Sequence, residues 1–216
     1  MKEGPLDVSH TRKNYNINPL RRSYMPENPT EAFIQWFKQV QDAQEDEANR
    51  MVLATCNLQG KVSSRTVLLK YVDERGFVFF TNYCSKKGVH LAENPYVSVT
   101  FYWPSTHRQV CIEGKAYRIA KEDSDRYFAM RPRQSQIAAW ASSQDRAIAG
   151  RELLEDMFVQ MEEEWAGREV QRPDYWGGYR IIPHFFDFWH GRPNRLHDRF
   201  HYILDMGTWR LYRVQP

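Results

Sequence analysis

Cysteine is scarce in this chain of 216 residues, and the three present, Cys56, Cys84 and Cys111, have no C-x-x-C spacing. An odd number of cysteines without that spacing argues against a disulfide framework and a zinc site, so we predict reduced thiols and no metal site. Long apolar runs are also missing, and the opening MKEGPLDVSH lacks the apolar core of a signal peptide. We therefore expect a soluble, cytoplasmic protein without a membrane partner.

A large excess of charge of one sign is missing as well. The 30 Lys and Arg residues nearly balance the 27 Asp and Glu residues, which leaves no basic tail for polyanions, so we expect no nucleic-acid partner. Aromatic residues, by contrast, make up 14% of the chain and include seven Trp. That content suits an interface or a flat ligand pocket as well as a core.

Two regions differ in composition. Residues 1–28 are polar, basic and interrupted by proline, which predicts a flexible N-terminal arm that becomes ordered only against another surface. Residues 29–216 contain no internal repeat, low-complexity tract or linker, and are predicted to form a single domain.

The apolar pattern predicts the elements of this domain. Thr30 is predicted to cap a first helix, and Ser85 a short second one over residues 86–93. Further helices are expected at residues 122–130, 134–142 and 146–165. Strands are expected at residues 51–56, 62–72, 77–81, 96–103, 109–119, 176–182, 185–190, 195–204 and 208–214. Many short strands, beginning with two successive hairpins, and a few inserted helices predict an α+β fold built on a small antiparallel barrel.

The segment from Trp189 to Phe200 places Arg195, His197 and Arg199 at every second position. In an extended strand these three side chains would form one polar row, with Leu196 on the other side. Two guanidiniums beside an imidazole suit an anionic ligand. A solvated edge strand whose charges discourage aggregation is the alternative, and the motif alone does not decide.

Two other basic clusters have the same ambiguity. Arg65 and Lys70 bracket an apolar strand, which on its own is typical of an ordinary buried strand with charged ends. Lys86 and Lys87 follow Ser85 at a predicted helix start, where free N–H groups and two ammoniums could hold a phosphate. A solvated basic turn is equally compatible with that pattern.

A third cluster consists of Tyr127, Arg131 and Ser135, spaced four residues apart. A continuous helix would place them on one side, but Pro132 must distort it. Ser135 would then lie near the start of a new helix, a favourable position for an anion. A surface helix pair with an aromatic–cation contact is the alternative.

Together these clusters resemble the pyridoxine (pyridoxamine) 5'-phosphate oxidases, flavin enzymes of the FMN-binding split-barrel class. The resemblance runs from about residue 11 to residue 216, in the family's order. Its most specific blocks are RTVLLK (65–70), FFTNYCSKKG (79–88), RQVCIEG (108–114), YFAMRPRQSQI (127–137), WGGYR (176–180) and FWHGRPNRLHDRF (188–200).

The resemblance implies an α+β fold over residues 29–216, an FMN-binding split β-barrel that is antiparallel and Greek-key-like, with flanking helices. It implies a homodimer with FMN at the subunit interface. The implied reaction converts pyridoxine 5'-phosphate or pyridoxamine 5'-phosphate, with O2, to pyridoxal 5'-phosphate and hydrogen peroxide, in vitamin B6 metabolism and salvage. Ammonia is also released from the amine.

The resemblance also assigns residues. The implied FMN site is divided between the two subunits and consists of Arg65, Thr66, Val67, Leu68, Leu69, Lys70, Phe80, Thr81, Lys86, Lys87, Gln109, Gln144, Trp189 and Arg199. The implied substrate site consists of Arg12, Lys13, Asn14 and Tyr15 in the closing arm, Lys70, Tyr127, Arg131 and Ser135 at the phosphate, and Arg195, Leu196 and His197. As catalytic residues, Arg195 would orient the substrate over the flavin, and His197 would hydrogen-bond or deprotonate the C4' substituent.

Three positions depart from the family's pattern. Phe80 stands where Tyr is common, Lys86 where Arg is frequent, and Asp145 where a Ser usually follows the flavin-contacting Gln. A carboxylate facing an anionic cofactor is repulsive, so Asp145 is expected to turn towards Arg146 or solvent.

Two alternative functions remain open. One is a related split-barrel flavin oxidase acting on another small aromatic substrate, such as a phenazine precursor. Such an enzyme would need the FMN residues but not Tyr127, Arg131, Ser135, Arg195 and His197. The other is a pyridoxal phosphate carrier that binds without turnover.

Overall fold

The computed structural model of the protein describes residues 7–9, 11, 14, 15 and 17–216. The chain divides into two compact units. The first unit comprises residues 1–46, 102–110 and 186–216, and the second unit comprises residues 47–101 and 111–185. The flexible arm and the single domain remain predictions.

The described residues form five α-helices and nine β-strands. The helices are α1 (Pro29–Asp42), α2 (Lys86–Glu93), α3 (Lys121–Ala129), α4 (Arg133–Ala141) and α5 (Arg151–Glu164). The strands are β1 (Arg50–Cys56), β2 (Val62–Leu68), β3 (Tyr71–Asp73), β4 (Gly76–Asn82), β5 (Tyr96–Trp103), β6 (Arg108–Arg118), β7 (Trp176–His190), β8 (Asp198–Asp205) and β9 (Thr208–Val214). The predicted α+β class is confirmed.

Seven strands are hydrogen-bonded in one sheet in the order β2-β1-β5-β6-β7-β4-β3. Both predicted hairpins are present, because β1 pairs with β2 and β3 with β4 in antiparallel registers. The strand expected over residues 62–72 is, however, interrupted. The Leu69 amide donates to Asn49 O at 2.9 Å and the Lys70 amide to Val78 O at 2.8 Å. Since Asn49 precedes β1 and Val78 lies in β4, the chain changes partner between these two residues.

Strand alternation builds the core of the second unit. In β1, Met51 and Leu53 are buried while Val52 between them is exposed. The strand β4 is buried along almost its whole length, including Phe77 and Phe79, as expected for a strand covered on both faces. Burial of these large side chains is the main stabilising contribution to the unit.

In the first unit, helix α1 packs its apolar side inward through Phe33, Trp36 and Val40. The predicted cap is wrong by two residues, because Asn28 is the N-cap and accepts from the Thr30 amide at 2.8 Å. Asn is as good a cap as Thr, and Pro29 then occupies the first helical position, where its missing N–H has no consequence.

The described part of the N-terminal arm packs within the first unit. Leu20 is buried, and its amide donates to the Asp198 carboxylate at 2.9 Å, while the Arg213 side chain donates to the Leu20 carbonyl at 2.7 Å. Asp198 and Arg213 belong to β8 and β9, which pair as an antiparallel hairpin.

Three other predicted boundaries are wrong. The long helix expected from residue 146 begins at Arg151, because Gly150 is fully extended at its N-cap. The two strands expected at residues 176–182 and 185–190 are one strand, β7. The strand expected from residue 195 begins at Asp198, because Asn194 and Arg195 have φ values of 57° and 61° in a short 3-10 turn. That left-handed backbone cannot continue a strand.

The three cysteines are free thiols. None of the helices formed by the described residues has the length and hydrophobicity to cross a bilayer.

Candidate active site

A cavity of about 810 Å³ opens in the second unit. Its walls come from β2, β4, α2, the helix pair α3 and α4, and the start of β7. The lining residues are Ser63, Ser64, Arg65, Thr66, Val67, Leu68, Lys70, Phe80, Lys86, Lys87, Tyr127, Met130, Arg131, Pro132, Ser135, Gln144, Asp145 and Trp176. Five of these residues are Lys or Arg and one is acidic, so the cavity suits an anionic ligand.

The start of α2 contributes two of the five cationic residues that line the cavity, Lys86 and Lys87. Ser85 caps the helix, with its Oγ accepting from the Gly88 amide at 3.4 Å and donating to Asn82 O at 2.6 Å. Lys87 is buried, and its Nζ donates to Ser85 Oγ at 3.0 Å and to Gln144 Oε1 at 3.2 Å. Burial lowers the pKa of Lys87. The ammonium is thus held in place by two neutral oxygens.

Gly88 explains how α2 comes so close to the preceding loop. A Cβ atom at this position would lie 2.1 Å from the carbonyl oxygen of Tyr83. Only glycine permits that approach, which sets where Lys86 and Lys87 meet the cavity.

Arg65 is held in place by hydrogen bonds to residues of β1 and β2. Its Nη1 donates to Leu53 O at 3.1 Å, Thr55 Oγ1 at 2.8 Å and Ser63 O at 3.0 Å, and its Nη2 donates to Ser63 Oγ at 2.6 Å. Burial lowers the pKa of Arg65, and the charge of Asp145 partly offsets that effect. The guanidinium is therefore oriented before any ligand arrives.

Asp145 is exposed, in line with one of its two expected orientations, towards solvent. Its Oδ2 accepts a hydrogen bond of 2.8 Å from the amide of Lys86, the first residue of α2. The residue has a φ of 67°, a left-handed backbone conformation that is uncommon outside glycine but that Asp adopts more readily than most residues. Its carboxylate therefore uses a helix-start donor that could otherwise serve a phosphate.

Another part of the cavity wall is aromatic. Phe80 stacks on Tyr127 with a centroid distance of 3.8 Å, and on Trp176 at 5.5 Å, with all three rings nearly parallel. The guanidinium of Arg131 lies over Trp176. Burial raises the pKa of Tyr127, and Arg131 partly opposes that shift, so the phenol stays protonated near neutral pH. This wall offers one cation and one hydroxyl beside flat apolar surface.

Most of the predicted site residues that belong to the second unit line this cavity. Leu69 and Thr81 do not, because both side chains are buried away from it. Sequence reasoning missed Ser63, Ser64, Met130, Pro132 and Trp176. Of these, Trp176 carried a signal, since it opens the WGGYR block, but no chemical role pointed to it.

The first unit holds a second cluster, which we call the aromatic–histidine cluster: Tyr15, His107, Trp189 and His197. The Tyr15 ring is 4.8 Å from His107, 5.8 Å from Trp189 and 5.9 Å from His197, and Trp189 is 4.7 Å from His197. The predicted residues Tyr15, Trp189 and His197 are thus brought together. Asn14 is exposed, and Arg12 and Lys13 lie outside the described residues.

The ring of His197 has a defined tautomer when neutral. The backbone amide of Arg192 donates to His197 Nδ1 at 3.0 Å, so Nδ1 is an acceptor and Nε2 carries the proton. Burial lowers the pKa of His197, and the charge of Arg195 lowers it further. In this arrangement the imidazole is neutral and presents an N–H donor at Nε2.

The predicted polar row of Arg195, His197 and Arg199 is wrong. Arg195 and Leu196 are exposed in the left-handed turn before β8, so Arg195 does not share a strand face with the others. Arg199 lies in β8 and forms an ion pair with Asp187, which is also 3.5 Å from His201. Gln109 lies half-buried in β6 of the same unit.

Comparison with known protein families gives two matches. The family described as "Pyridoxamine 5'-phosphate oxidase" matches residues 37–164, and a second family, the "Pyridoxine 5'-phosphate oxidase C-terminal dimerisation region", matches residues 176–216. The chain belongs to the pyridoxamine 5'-phosphate oxidase family. The predicted family is confirmed, and the dimerisation region indicates a homodimer.

Full-length relatives agree with this assignment. The pyridoxine/pyridoxamine 5'-phosphate oxidase of Rippkaea orientalis is 49% identical over 212 residues, covering 98% of this chain and 100% of the relative. That of Paraburkholderia phymatum is 49% identical over 210 residues, covering 97% of this chain and 99% of the relative. The chain is thus an oxidoreductase of this family.

Two solved structures share the fold. PhzG from Burkholderia lata, in complex with tetrahydrophenazine-1-carboxylic acid, has a TM-score of 0.87 and 29% identity, covering 93% of this chain and 99% of PhzG. A pyridoxamine 5'-phosphate oxidase-related, FMN-binding protein from Nostoc punctiforme has a TM-score of 0.69 and 16% identity, covering 89% of this chain and all of that one. The predicted split-barrel fold is confirmed, and FMN is the cofactor that the family implies.

Proposed function

We propose that the protein oxidises pyridoxine 5'-phosphate and pyridoxamine 5'-phosphate to pyridoxal 5'-phosphate with O2 as the final acceptor. The alcohol and O2 give the aldehyde and hydrogen peroxide. The amine, O2 and water give the aldehyde, ammonia and hydrogen peroxide. The observation that carries this proposal is the cavity of about 810 Å³ in the second unit, which is lined by two groups of side chains suited to phosphate.

The residues present fit FMN. Arg65, Lys86 and Lys87 supply three cations around the start of α2, and Arg65 and Lys87 are partly desolvated, which strengthens their attraction for an anion. Val67, Leu68 and the ring of Phe80 supply the apolar surface that a flat flavin needs. Arg65, Lys86 and Lys87 would hold the FMN phosphate and its ribityl chain.

A second phosphate position lies at the junction of α3 and α4. Tyr127, Arg131, Ser135 and Lys70 line the same cavity and offer a phenol, a guanidinium, a hydroxyl and an ammonium. Guanidinium and hydroxyl donors match phosphate oxygens well. We assign these four side chains to the phosphate of the vitamin.

When bound, FMN supplies the acceptor for the hydride that leaves C4' and returns the electrons to O2. The protein's task is to position the C4' group and control its proton. The neutral Nε2–H of His197 suits hydrogen bonding to the C4' oxygen or nitrogen better than deprotonation, because the lone pair at Nδ1 is already used by the Arg192 amide. Arg195, exposed beside it, would orient the pyridine ring.

We further propose that FMN lies at the interface of the homodimer. Gln109, Trp189 and Arg199 would complete the flavin site, with the contributions divided between the two subunits. The match to a dimerisation region over residues 176–216, which include Trp189, Arg195, His197 and Arg199, supports this arrangement. Tyr15 and its neighbours in the arm would close over the bound vitamin.

Turnover of the purified, FMN-loaded protein tests the proposal. Either phosphorylated substrate should yield equimolar peroxide and pyridoxal 5'-phosphate, and the amine should also yield ammonia. Unphosphorylated pyridoxine at the same concentration is the matched control and should react far more slowly. Binding of the substrates without peroxide or aldehyde would instead identify a carrier.

One observation favours a second candidate, an oxidase of a phenazine precursor. The fold of PhzG matches this chain with a TM-score of 0.87, and the crystal structure of PhzG contains tetrahydrophenazine-1-carboxylic acid. Against it stands the set Tyr127, Arg131 and Ser135 at the cavity, which a substrate without phosphate does not require. Offering both substrates in competition decides between them, and consumption of the phenazine precursor in preference to pyridoxine 5'-phosphate would overturn our assignment.

A further inference from the structure

The guanidinium of Arg131 lies in a corner between two aromatic rings. Its Cζ atom is 4.5 Å from the ring centroid of Trp176 and 5.4 Å from that of Phe128, and the two rings meet edge to face at 5.2 Å. Trp176 is 8% exposed and Phe128 is 1% exposed, and both belong to the core of the second unit. The cation is therefore packed against apolar surface.

Within the described part of the chain, Arg131 has no anionic partner. Its Nη1 atom is buried and makes no hydrogen bond with any described residue. Burial of a cation without a carboxylate is unfavourable. Cation–π attraction offsets that cost, because it strengthens when the cation is desolvated and because Trp offers the most favourable ring.

Trp176 is itself held in place. It is the first residue of β7, it pairs with Asn82 of β4, and its amide donates to Pro173 O at 3.0 Å. Its ring stacks on Phe80, which in turn stacks on Tyr127. One indole thus contacts Arg131 directly and supports Tyr127 through Phe80.

We propose that Trp176 is a positioning residue for recognition of the substrate's phosphate. The π face of Trp176 holds the guanidinium of Arg131. The guanidinium N–H groups that do not point towards the two rings remain available to the phosphate. This inference rests on the proposed function, which assigns Arg131 to that phosphate.

The test compares three variants of the FMN-loaded protein with the wild type, by calorimetric binding of pyridoxine 5'-phosphate and by steady-state kinetics. Trp176→Leu is expected to weaken binding and raise KM about tenfold, with kcat changed less than about twofold. Trp176→Phe should weaken binding only about threefold, since it keeps a π face. Trp140→Leu is the matched control, because Trp140 packs on the same core but does not line the cavity. It should lower stability and leave binding within about twofold.

A double-mutant cycle separates positioning from general damage to the core. In an Arg131→Met background, Trp176→Leu should weaken binding by less than about twofold further, because the cation that the indole holds is gone. An equal loss in both backgrounds, or wild-type binding by Trp176→Leu, would overturn the proposal. If Trp176→Leu does not fold, Trp176→Phe is used in the same cycle with the same criteria.

The two proposals fail independently. Binding needs no turnover, so coupling between Trp176 and Arg131 without peroxide production would overturn the oxidase proposal alone. Peroxide production without that coupling would overturn the positioning role alone.

Discussion

The cavity of the second unit and the aromatic–histidine cluster of the first unit hold their polar groups by different means. In the cavity, Arg65 and Lys87 are fixed by hydrogen bonds to neutral oxygens, and their charge is only partly compensated, by Asp145. In the cluster, Tyr15 and His197 are held mainly by ring contacts, and Arg195, whose charge acts on His197, is exposed.

That difference indicates a division of labour. Oriented, partly desolvated cations create a standing attraction for phosphates, which is what binding requires. A neutral imidazole with one defined N–H donor contributes little to anion binding, but it can act on a single reacting atom. We therefore expect changes in the cavity to alter affinities, and changes in the cluster to alter turnover.

Replacement of His197 should give the largest effect on turnover. His197→Leu removes the Nε2 donor and should lower kcat about 100-fold, while FMN remains bound. His197→Gln cannot act as a base but keeps a side-chain N–H donor. Because it keeps that donor, its kcat should fall only about tenfold. Stopped-flow reduction of the flavin measures both. Equal losses in the two variants would show that His197 acts as a base rather than as a donor.

Replacement of Arg65 should mainly affect the cofactor. Arg65→Met removes charge-assisted hydrogen bonds and should weaken FMN binding roughly 30-fold, as measured by flavin fluorescence. The control is Arg75→Met, which removes an exposed arginine paired with Asp73 in the same unit. If the Arg65→Met protein keeps FMN but loses turnover, the expected division of roles, with affinity set in the cavity and turnover in the cluster, is contradicted.

Removal of the Asp145 charge should have a smaller and opposite effect. Asp145→Asn keeps an oxygen for the Lys86 amide but removes the negative charge at the helix start, so FMN should bind about threefold more tightly. The gain should shrink in 1 M salt. Glu152→Gln, which changes another acidic residue of the second unit that does not line the cavity, should leave the affinity unchanged. Weaker FMN binding by Asp145→Asn would contradict the repulsion.

The smallest expected effect is on stability, and it concerns the first unit. Burial lowers the pKa of both His190 and His197 in the folded chain. The unfolded chain therefore binds more protons below about pH 6.5, so the free energy of unfolding should fall as the pH is lowered through that value. Urea midpoints between pH 7.5 and 5 measure this. His190→Gln should flatten the dependence, whereas His184→Gln, at an exposed position, should not.

Much of the fold is predictable because local patterns determine it. Helix α2 has the predicted bounds because Ser85 caps it and Asn94-Pro95 end it, and β5 and β9 have the predicted bounds because their strand patterns end in turns. Most of the cationic and hydroxyl side chains that line the cavity were also predictable, since the family blocks contain them. The change of partner at Leu69 and Lys70 was not, because it depends on pairing with residues distant in sequence.

The failures at the site have a common physical origin. The turn at Asn194 and Arg195 uses left-handed backbone at residues other than glycine, which no hydrophobic period encodes. The contact of Asp145 with α2 joins residues 59 positions apart. Trp176 is apolar and buried, so its sequence context indicates core and gives no sign of the cation that rests on it.

The turn before β8 has a consequence for proton chemistry. Because the backbone reverses at Asn194 and Arg195, the amide of Arg192 comes back to the ring of His197, five residues later. The number of residues in this loop thus selects which nitrogen of the imidazole bears hydrogen. A deletion of one residue here would keep the His197 side chain but remove the donor at Nδ1, so the ring could take the other tautomer, with its lone pair at Nε2.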